Sequence, residues 1–81
     1  MSIEPWDAAP YVQLALLSEQ LGRYRAADRW IHEAVARSRA DWTLWLVATR
    51  VETRLGQLRR ARASLAEARR LDPLGVQALV G

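Results

Sequence analysis

The sequence predicts an all-α fold of two helical hairpins that stack side by side. The first observation is an internal repeat, because Leu21-Gly22 and Leu55-Gly56 occupy matching places in two similar segments. The second is a composition dominated by Ala, Arg and Leu, which are strong helix formers. The third is that each of these glycines follows apolar residues at helical spacing, as is typical of a helix C-terminus.

The separation of Gly22 from Gly56 is called one repeat below. It equals the period of about 34 residues that is typical of one helix–turn–helix unit. Such units cannot bury their apolar faces alone, so they share a core by stacking. The period therefore predicts a solenoid.

The composition excludes several classes of protein. A chain of 81 residues forms one small domain. It contains no cysteine, which excludes a disulfide framework and a thiolate metal site. No run approaches the ~20 apolar residues that span a bilayer, so the polypeptide is expected to be soluble. The formal charge of +3, with arginine as the basic residue throughout, is too small to demand a nucleic-acid partner.

The first hairpin is predicted at residues 7–41, after an N-terminal extension over residues 1–6. Asp7 is expected to cap its first helix, with Trp6 forming a hydrophobic staple beside the cap. Gly22 is expected to end that helix. The second helix is expected to bury an apolar stripe formed by Tyr24, Ala27, Ile31, Ala34 and Val35.

The second hairpin is predicted at residues 42–73, with Asp41 as the cap of its first helix and Gly56 at its turn. Its second helix is expected to bury Leu58, Ala61, Leu65, Ala68 and Leu71. Residues 74–81 read as the start of a third, truncated unit. Its uncovered apolar side chains would be Leu74, Val76, Leu79 and Val80. The chain is therefore expected to be a fragment of a larger protein.

With the two copies aligned, the residues resemble a tetratricopeptide repeat (TPR). The resemblance implies a right-handed helical-hairpin solenoid of two repeats plus the start of a third. The residues expected to pack the repeats are Tyr11, Leu14, Gly22, Ala27, Ala34, Trp45, Ala48, Gly56, Ala61, Leu65, Ala68 and Pro73. Glu52 stands where the family carries an aromatic residue, and Arg39 where the first repeat would end in proline. Both departures predict altered local packing rather than a different fold.

In this family the first helix of each repeat lines a concave groove, so the resemblance implies a protein–protein interaction scaffold that binds a protein or peptide. Carried over by position, the groove consists of Val12, Gln13, Leu16, Gln20, Leu46, Val47, Arg50 and Arg54. Arg50 and Arg54 lie one helical turn apart and repel each other, which favours an acidic peptide between them. Two solvated arginines are the alternative. The Lys and Asn of the family's carboxylate clamp are replaced here by Val12, Leu16 and Val47.

Two other classes of function are open at this point. The runs that begin at Pro10 and Asp41 look like repeat-bearing tails of bacterial O-antigen ligase or polymerase-family membrane proteins, which would make the chain a non-catalytic extramembrane tail. A nucleic-acid-binding helical repeat is the other, because arginines crowd the fourth helix. They are Arg59, Arg60, Arg62, Arg69 and Arg70, and their alternative role is a solvated outer face.

The sequence predicts neither an enzyme nor a cofactor or metal site. His32 is the only histidine, and the sequence places no nucleophile or second histidine beside it. Trp30 and Trp42 are expected to pack in or near the seam between the repeats. The apolar C-terminal edge predicts self-association of the isolated chain, by end-to-end stacking.

Overall fold

The computed structural model describes residues 7–80, so the predicted staple at Trp6 lies outside the described residues. That part of the chain is helical and contains no strand, which confirms the all-α prediction. Each helix packs against the next one along the chain, and the structure measures 38 × 24 × 19 Å. The helices are α1 (Ala9–Gln20), α2 (Tyr24–Arg37), α3 (Trp42–Arg54), α4 (Leu58–Leu71) and α5 (Pro73–Val80).

The turns α1–α2 and α3–α4 share one geometry. Gly22 has a φ of +73° and Gly56 a φ of +76°, a left-handed conformation that glycine adopts without steric cost. In the first turn, Arg23 N donates to Ser18 O and Gly22 N donates to Glu19 O. The same pair of bonds occurs at the matching positions of the second turn. Both turns are therefore Schellman motifs, in which a left-handed residue lets the chain satisfy the last helical carbonyls.

The two first helices begin differently. The carboxylate of Asp41 accepts a hydrogen bond from Thr43 N at 3.1 Å, as the capping prediction requires. The first helix begins at Ala9, one residue later than a cap at Asp7 would give, with Ala8 at the N-cap position. Asp7 nevertheless accepts a hydrogen bond from Ala9 N at 2.9 Å. Its carboxylate thus satisfies a backbone N–H at the start of the first helix.

The main core lies between α1, α2 and α3. Its buried members are Ala15, Ile31, Ala34, Val35, Leu44 and Ala48. Half-buried aromatic rings close its edge, and the centroids of Tyr11 and Trp30 lie 6.0 Å apart. The predicted stripe of α2 therefore faces the core, with Tyr24 half-buried at its end. Small side chains on α2 and α3 let these helices approach closely.

Four apolar positions differ from the sequence-based expectation. Leu58 was expected to be buried in α4, and Leu14 and Pro73 were expected to pack the repeats, yet all three are exposed. Val76 was expected to be uncovered, yet it is fully buried in α5. The reason is tertiary: α5 packs against α4, whereas no described residue covers the outer side of α1.

Candidate functional site

The eight residues of the predicted groove fall into two groups. Val12, Leu16, Leu46 and Val47 are half-buried, and Gln13, Gln20, Arg50 and Arg54 are exposed. Val12 of α1 and Val47 of α3 pack against the same core, so the structure brings these two helices together. Gln13, Leu16 and Gln20 line a shallow cleft of about 390 Å³ on α1, together with Leu14 and Leu17. The apolar part of the predicted groove is therefore present on the surface of α1.

The charges of this surface are already paired within the chain. Arg50 donates two hydrogen bonds to the carboxylate of Glu19, one of them of 2.7 Å from Nη2 to Oε1. This bonding, opposed by partial desolvation, raises the pKa of Arg50. Arg54 lies over the ring of Tyr24, 5.9 Å from its centroid. The carboxylate expected from a bound acidic peptide is thus supplied to Arg50 by α1.

The second feature of α1 is a row of exposed leucines, which we call the leucine row: Leu14, Leu17 and Leu21. Their side chains are 39%, 54% and 60% exposed. They recur at helical spacing, so they share one side of α1 and its C-terminal end. Contiguous exposed leucines on one helix are typical of a surface that a partner covers.

A cluster of polar and charged side chains lies where α2, α3 and α4 meet, and we call it the junction cluster: Asp28, His32, Glu52, Arg60 and Ser64. Asp28 and His32 are one turn apart on α2, so both point toward α3. Nε2 of His32 lies 3.1 Å from Asp28 Oδ1 and 3.2 Å from Glu52 Oε2. One nitrogen therefore faces two carboxylates that belong to different helices.

Glu52 is the most deeply buried member of the junction cluster. Its side chain is only 1% exposed, and its Oε1 accepts a hydrogen bond of 2.6 Å from the hydroxyl of Ser64. A carboxylate withdrawn from water is costly unless it is paired and hydrogen-bonded. The sequence had suggested Glu52 as a neighbour of Arg50 and Arg54 on the surface. It instead faces the junction between the hairpins, where a small serine leaves room for it.

Arg60 supplies the positive charge of the junction cluster from α4. Its guanidinium lies 3.4 Å from Glu52 Oε2, 3.7 Å from Asp28 Oδ2 and 3.0 Å from His32 Nε2. The side chain is 51% exposed and also donates to Gln57 Oε1 at 2.9 Å. Asp28 Oδ1, in contrast, is screened from solvent and has no hydrogen-bond partner. Arg60 thus offsets part of the negative charge, while one buried oxygen is left without a donor.

The junction cluster opens into a cleft of about 420 Å³, whose walls include Trp45, Ser64 and Glu67. Sequence reasoning missed this site, because it judged His32 only against its neighbours in the sequence. Two signals point to it. Asp28 and His32 share a helical face, and Glu52 follows the buried Val51 on α3. A carboxylate in a buried register needs a polar partner, and the sequence offered one in Ser64.

The five arginines of α4 that suggested a nucleic-acid surface are all exposed. Two of them are engaged within the chain. Arg60 belongs to the junction cluster, and Arg70 forms a bidentate pair with Glu67. The pairing with Arg70 lowers the pKa of Glu67. The positive charge of this helix is therefore partly neutralised locally, which weakens its attraction for a phosphate backbone.

Among residues 7–80, no helix is long and apolar enough to cross a bilayer. The chain matches no protein-family model, no curated protein sequence and no solved structure. The evidence for its function is therefore the geometry of its own residues.

Proposed function

We propose that the chain is a protein–protein interaction scaffold of the TPR type, with α1 and α3 as its binding helices. The observation that carries the proposal is the leucine row on α1. Burial of a leucine side chain stabilises a contact by about 2 kcal/mol, so three of them on one side of a helix form a substantial docking surface. The half-buried Leu16 and the amide groups of Gln13 and Gln20 continue this surface into the predicted groove.

The internal repeat indicates what covers such a row. Ala48 and Val51 stand one repeat after Leu14 and Leu17, and both are fully buried where α3 packs on neighbouring helices. The leucine row is therefore the counterpart of a surface that, in the second hairpin, is already in contact with a helical hairpin. A partner that offers two antiparallel helices with a small-residue groove fits the same geometry.

A second copy of the chain offers such a groove at its other end. The groove lies between α3 and α4 and has a volume of about 180 Å³. Its lining residues are Thr49, Thr53, Leu58, Ala61, Arg62 and Leu65. Thr49 and Leu65 stand one repeat after Ala15 and Ile31, which are buried in the first hairpin's own junction with α3. Contact between one copy's α1 and the next copy's groove is head-to-tail, and repetition of it builds a continuous stack.

The partner is apolar rather than acidic in this proposal. Arg50 already has the carboxylate of Glu19, so an acidic peptide would have to displace an internal ion pair before it gained one. Exposed ion pairs contribute at most about 1 kcal/mol, and such an exchange adds little affinity. The leucines, in contrast, lose unfavourable contact with water on docking.

Sedimentation equilibrium of the 81-residue chain tests the proposal. We expect a concentration-dependent increase in mass that Leu17→Glu abolishes, because a charge is then placed in the contact. Leu58→Glu on the opposite groove is expected to abolish it as well if copies stack head-to-tail. Ala36→Glu, a substitution at an exposed position of α2, is the control that should leave association unchanged. A chain that stays monomeric up to about 1 mM, or one whose association ignores Leu17→Glu, would contradict self-docking through α1.

A further inference from the structure

We propose that the junction cluster is a binding site for a divalent transition-metal ion of the zinc type, with Asp28, His32 and Glu52 as its ligands. This inference goes beyond the docking function and does not depend on it. One imidazole nitrogen and two carboxylate oxygens form the ligand set, and all three donor atoms lie within 4.8 Å of one another. Nitrogen and oxygen ligands of this kind suit Zn²⁺ and its neighbours among the first-row metals.

The spacing of the donor atoms fits a metal ion without movement of the backbone. Zn²⁺ binds nitrogen and oxygen at about 2.0–2.2 Å, so two ligands of a tetrahedral ion lie about 3.3 Å apart. Nε2 of His32 is 3.1 Å from Asp28 Oδ1 and 3.2 Å from Glu52 Oε2. Both distances are close to the ligand–ligand distance of such a site. The rigid part is provided by α2, on which Asp28 and His32 stand one turn apart.

Hydrogen bonding alone does not satisfy this arrangement. A neutral imidazole Nε2 carries either one hydrogen or one lone pair. With the hydrogen, it can donate to a carboxylate, but then it meets the N–H of Arg60 at 3.0 Å. With the lone pair, it accepts from Arg60 but faces two carboxylate oxygens. A divalent cation between the three donor atoms interacts favourably with all of them at once.

The burial of the carboxylates supplies an independent observation. Asp28 Oδ1 is screened from solvent and accepts no hydrogen bond, and this oxygen is directed at His32 Nε2. The Glu52 side chain is 1% exposed and uses one oxygen on Ser64, which leaves Oε2 for the site. The bond from Ser64 orients the carboxylate, as partners beyond the ligands do in known metal sites.

Arg60 is the internal competitor of the metal ion. Its guanidinium carries the positive charge that the two carboxylates need, yet its ion-pair distances of 3.4 and 3.7 Å are longer than those of a bidentate pair. The side chain is half exposed and also bonds to Gln57, so it can turn into the adjacent cleft. Metal binding would displace Arg60 toward solvent and leave the fourth coordination position open to the cleft, for water.

The experiment is a titration of the 81-residue chain with Zn²⁺, followed by calorimetry and by NMR of the imidazole. His32 is the only histidine, so its ring signals report on the site without ambiguity. Co²⁺ provides a second readout through its visible absorption, and Ca²⁺ serves as the negative ion because imidazole does not suit it. We expect one Zn²⁺ per chain, with a shift of the His32 signals and a visible Co²⁺ band.

The variants separate a site from nonspecific uptake. Asp28→Asn and His32→Gln are expected to weaken Zn²⁺ binding at least about tenfold, whereas Glu33→Gln, at an exposed carboxylate next to His32, should leave it unchanged. Arg60→Met is expected to tighten binding, because it removes the competing cation. Far-UV circular dichroism without metal shows whether each variant is folded. The proposal is overturned if wild type and Arg60→Met both fail to bind Zn²⁺, or if Glu33→Gln weakens binding as much as Asp28→Asn.

Discussion

The two helical hairpins share their turn but fill the space between their helices differently. In the first hairpin, Tyr11 and Trp30 place two rings 6.0 Å apart at the edge of the core. The residues one repeat later are Trp45 and Ser64, so one ring is replaced by a hydroxyl. The space that a second ring would take is used by the carboxylate of Glu52, and the cleft beside the junction cluster lies there. The repeat thus determines the backbone, whereas single positions decide whether the filling is aromatic or charged.

The same difference separates a region held by apolar contacts from a region that carries ionisable groups. Aromatic rings in the first hairpin pack against the core, and Arg37 lies 4.1 Å from the centroid of Tyr11. In the second hairpin a carboxylate is buried, so its contribution depends on partners that must be oriented. Polar clusters of that kind occur at functional sites more often than at positions with a purely structural role.

The largest effect is expected from importing the first hairpin's residue into the second. Ser64→Trp places a large ring in a buried position and removes the hydrogen bond to Glu52. Overpacking costs about 1–3 kcal/mol, and loss of a bond to a charged group costs about 1.5–3 kcal/mol. We therefore expect a loss of about 4 kcal/mol in the free energy of unfolding, measured by urea denaturation.

A double-mutant cycle sharpens this comparison. Glu52→Ser introduces the residue of the first hairpin at the matching place, where Ser18 stands. Combined with Ser64→Trp, it removes the buried charge and makes room for the ring, so part of the lost stability should return. Strict additivity of the two substitutions would show that the carboxylate of Glu52 and the introduced indole ring do not compete for one space, and it would contradict the comparison.

The second prediction compares one matched pair of core residues. Ile31 is fully buried between the hairpins, whereas Leu65, one repeat later, is half-buried beside the open groove. Ile31→Ala should cost about 3 kcal/mol, because it removes buried methylene groups and leaves a cavity. Leu65→Ala should cost about half as much, since water already reaches the site. Equal losses in thermal or urea unfolding would mean that the groove at α4 is closed in solution.

Local features of the fold were predictable from the sequence. The turns at Gly22 and Gly56 follow from glycine's access to a positive φ, and the stripe that includes Ala27 and Ile31 follows from helical spacing. These features depend on residues a few positions apart, so a single sequence contains the information. The cap at Asp41 belongs to the same class.

Features that depend on distant neighbours were not predictable. Leu14 and Leu58 have the same apolar character as buried residues, and only the absence of a covering element in the described chain makes them exposed. The junction cluster joins His32 to Glu52 across 20 positions of sequence, and no local pattern records that contact. Helix packing brings their side chains together, and that packing was inferred only at the level of whole helices.

The smallest effect is expected at the surface of α4, where acid titration distinguishes the second hairpin. Hydrogen bonds from Arg70 lower the pKa of the Glu67 carboxyl below its ordinary value of 4.5. Because the folded-state pKa is lowered, the pair stabilises the fold above the unfolded-state pKa, and this contribution disappears as the pH falls through the folded-state value. Arg70→Gln should return the Glu67 pKa toward 4.5 in an NMR titration of the side-chain carboxyl, while urea unfolding at neutral pH changes little, since exposed pairs contribute little. An unchanged Glu67 titration in that variant would show that the pair does not persist in solution.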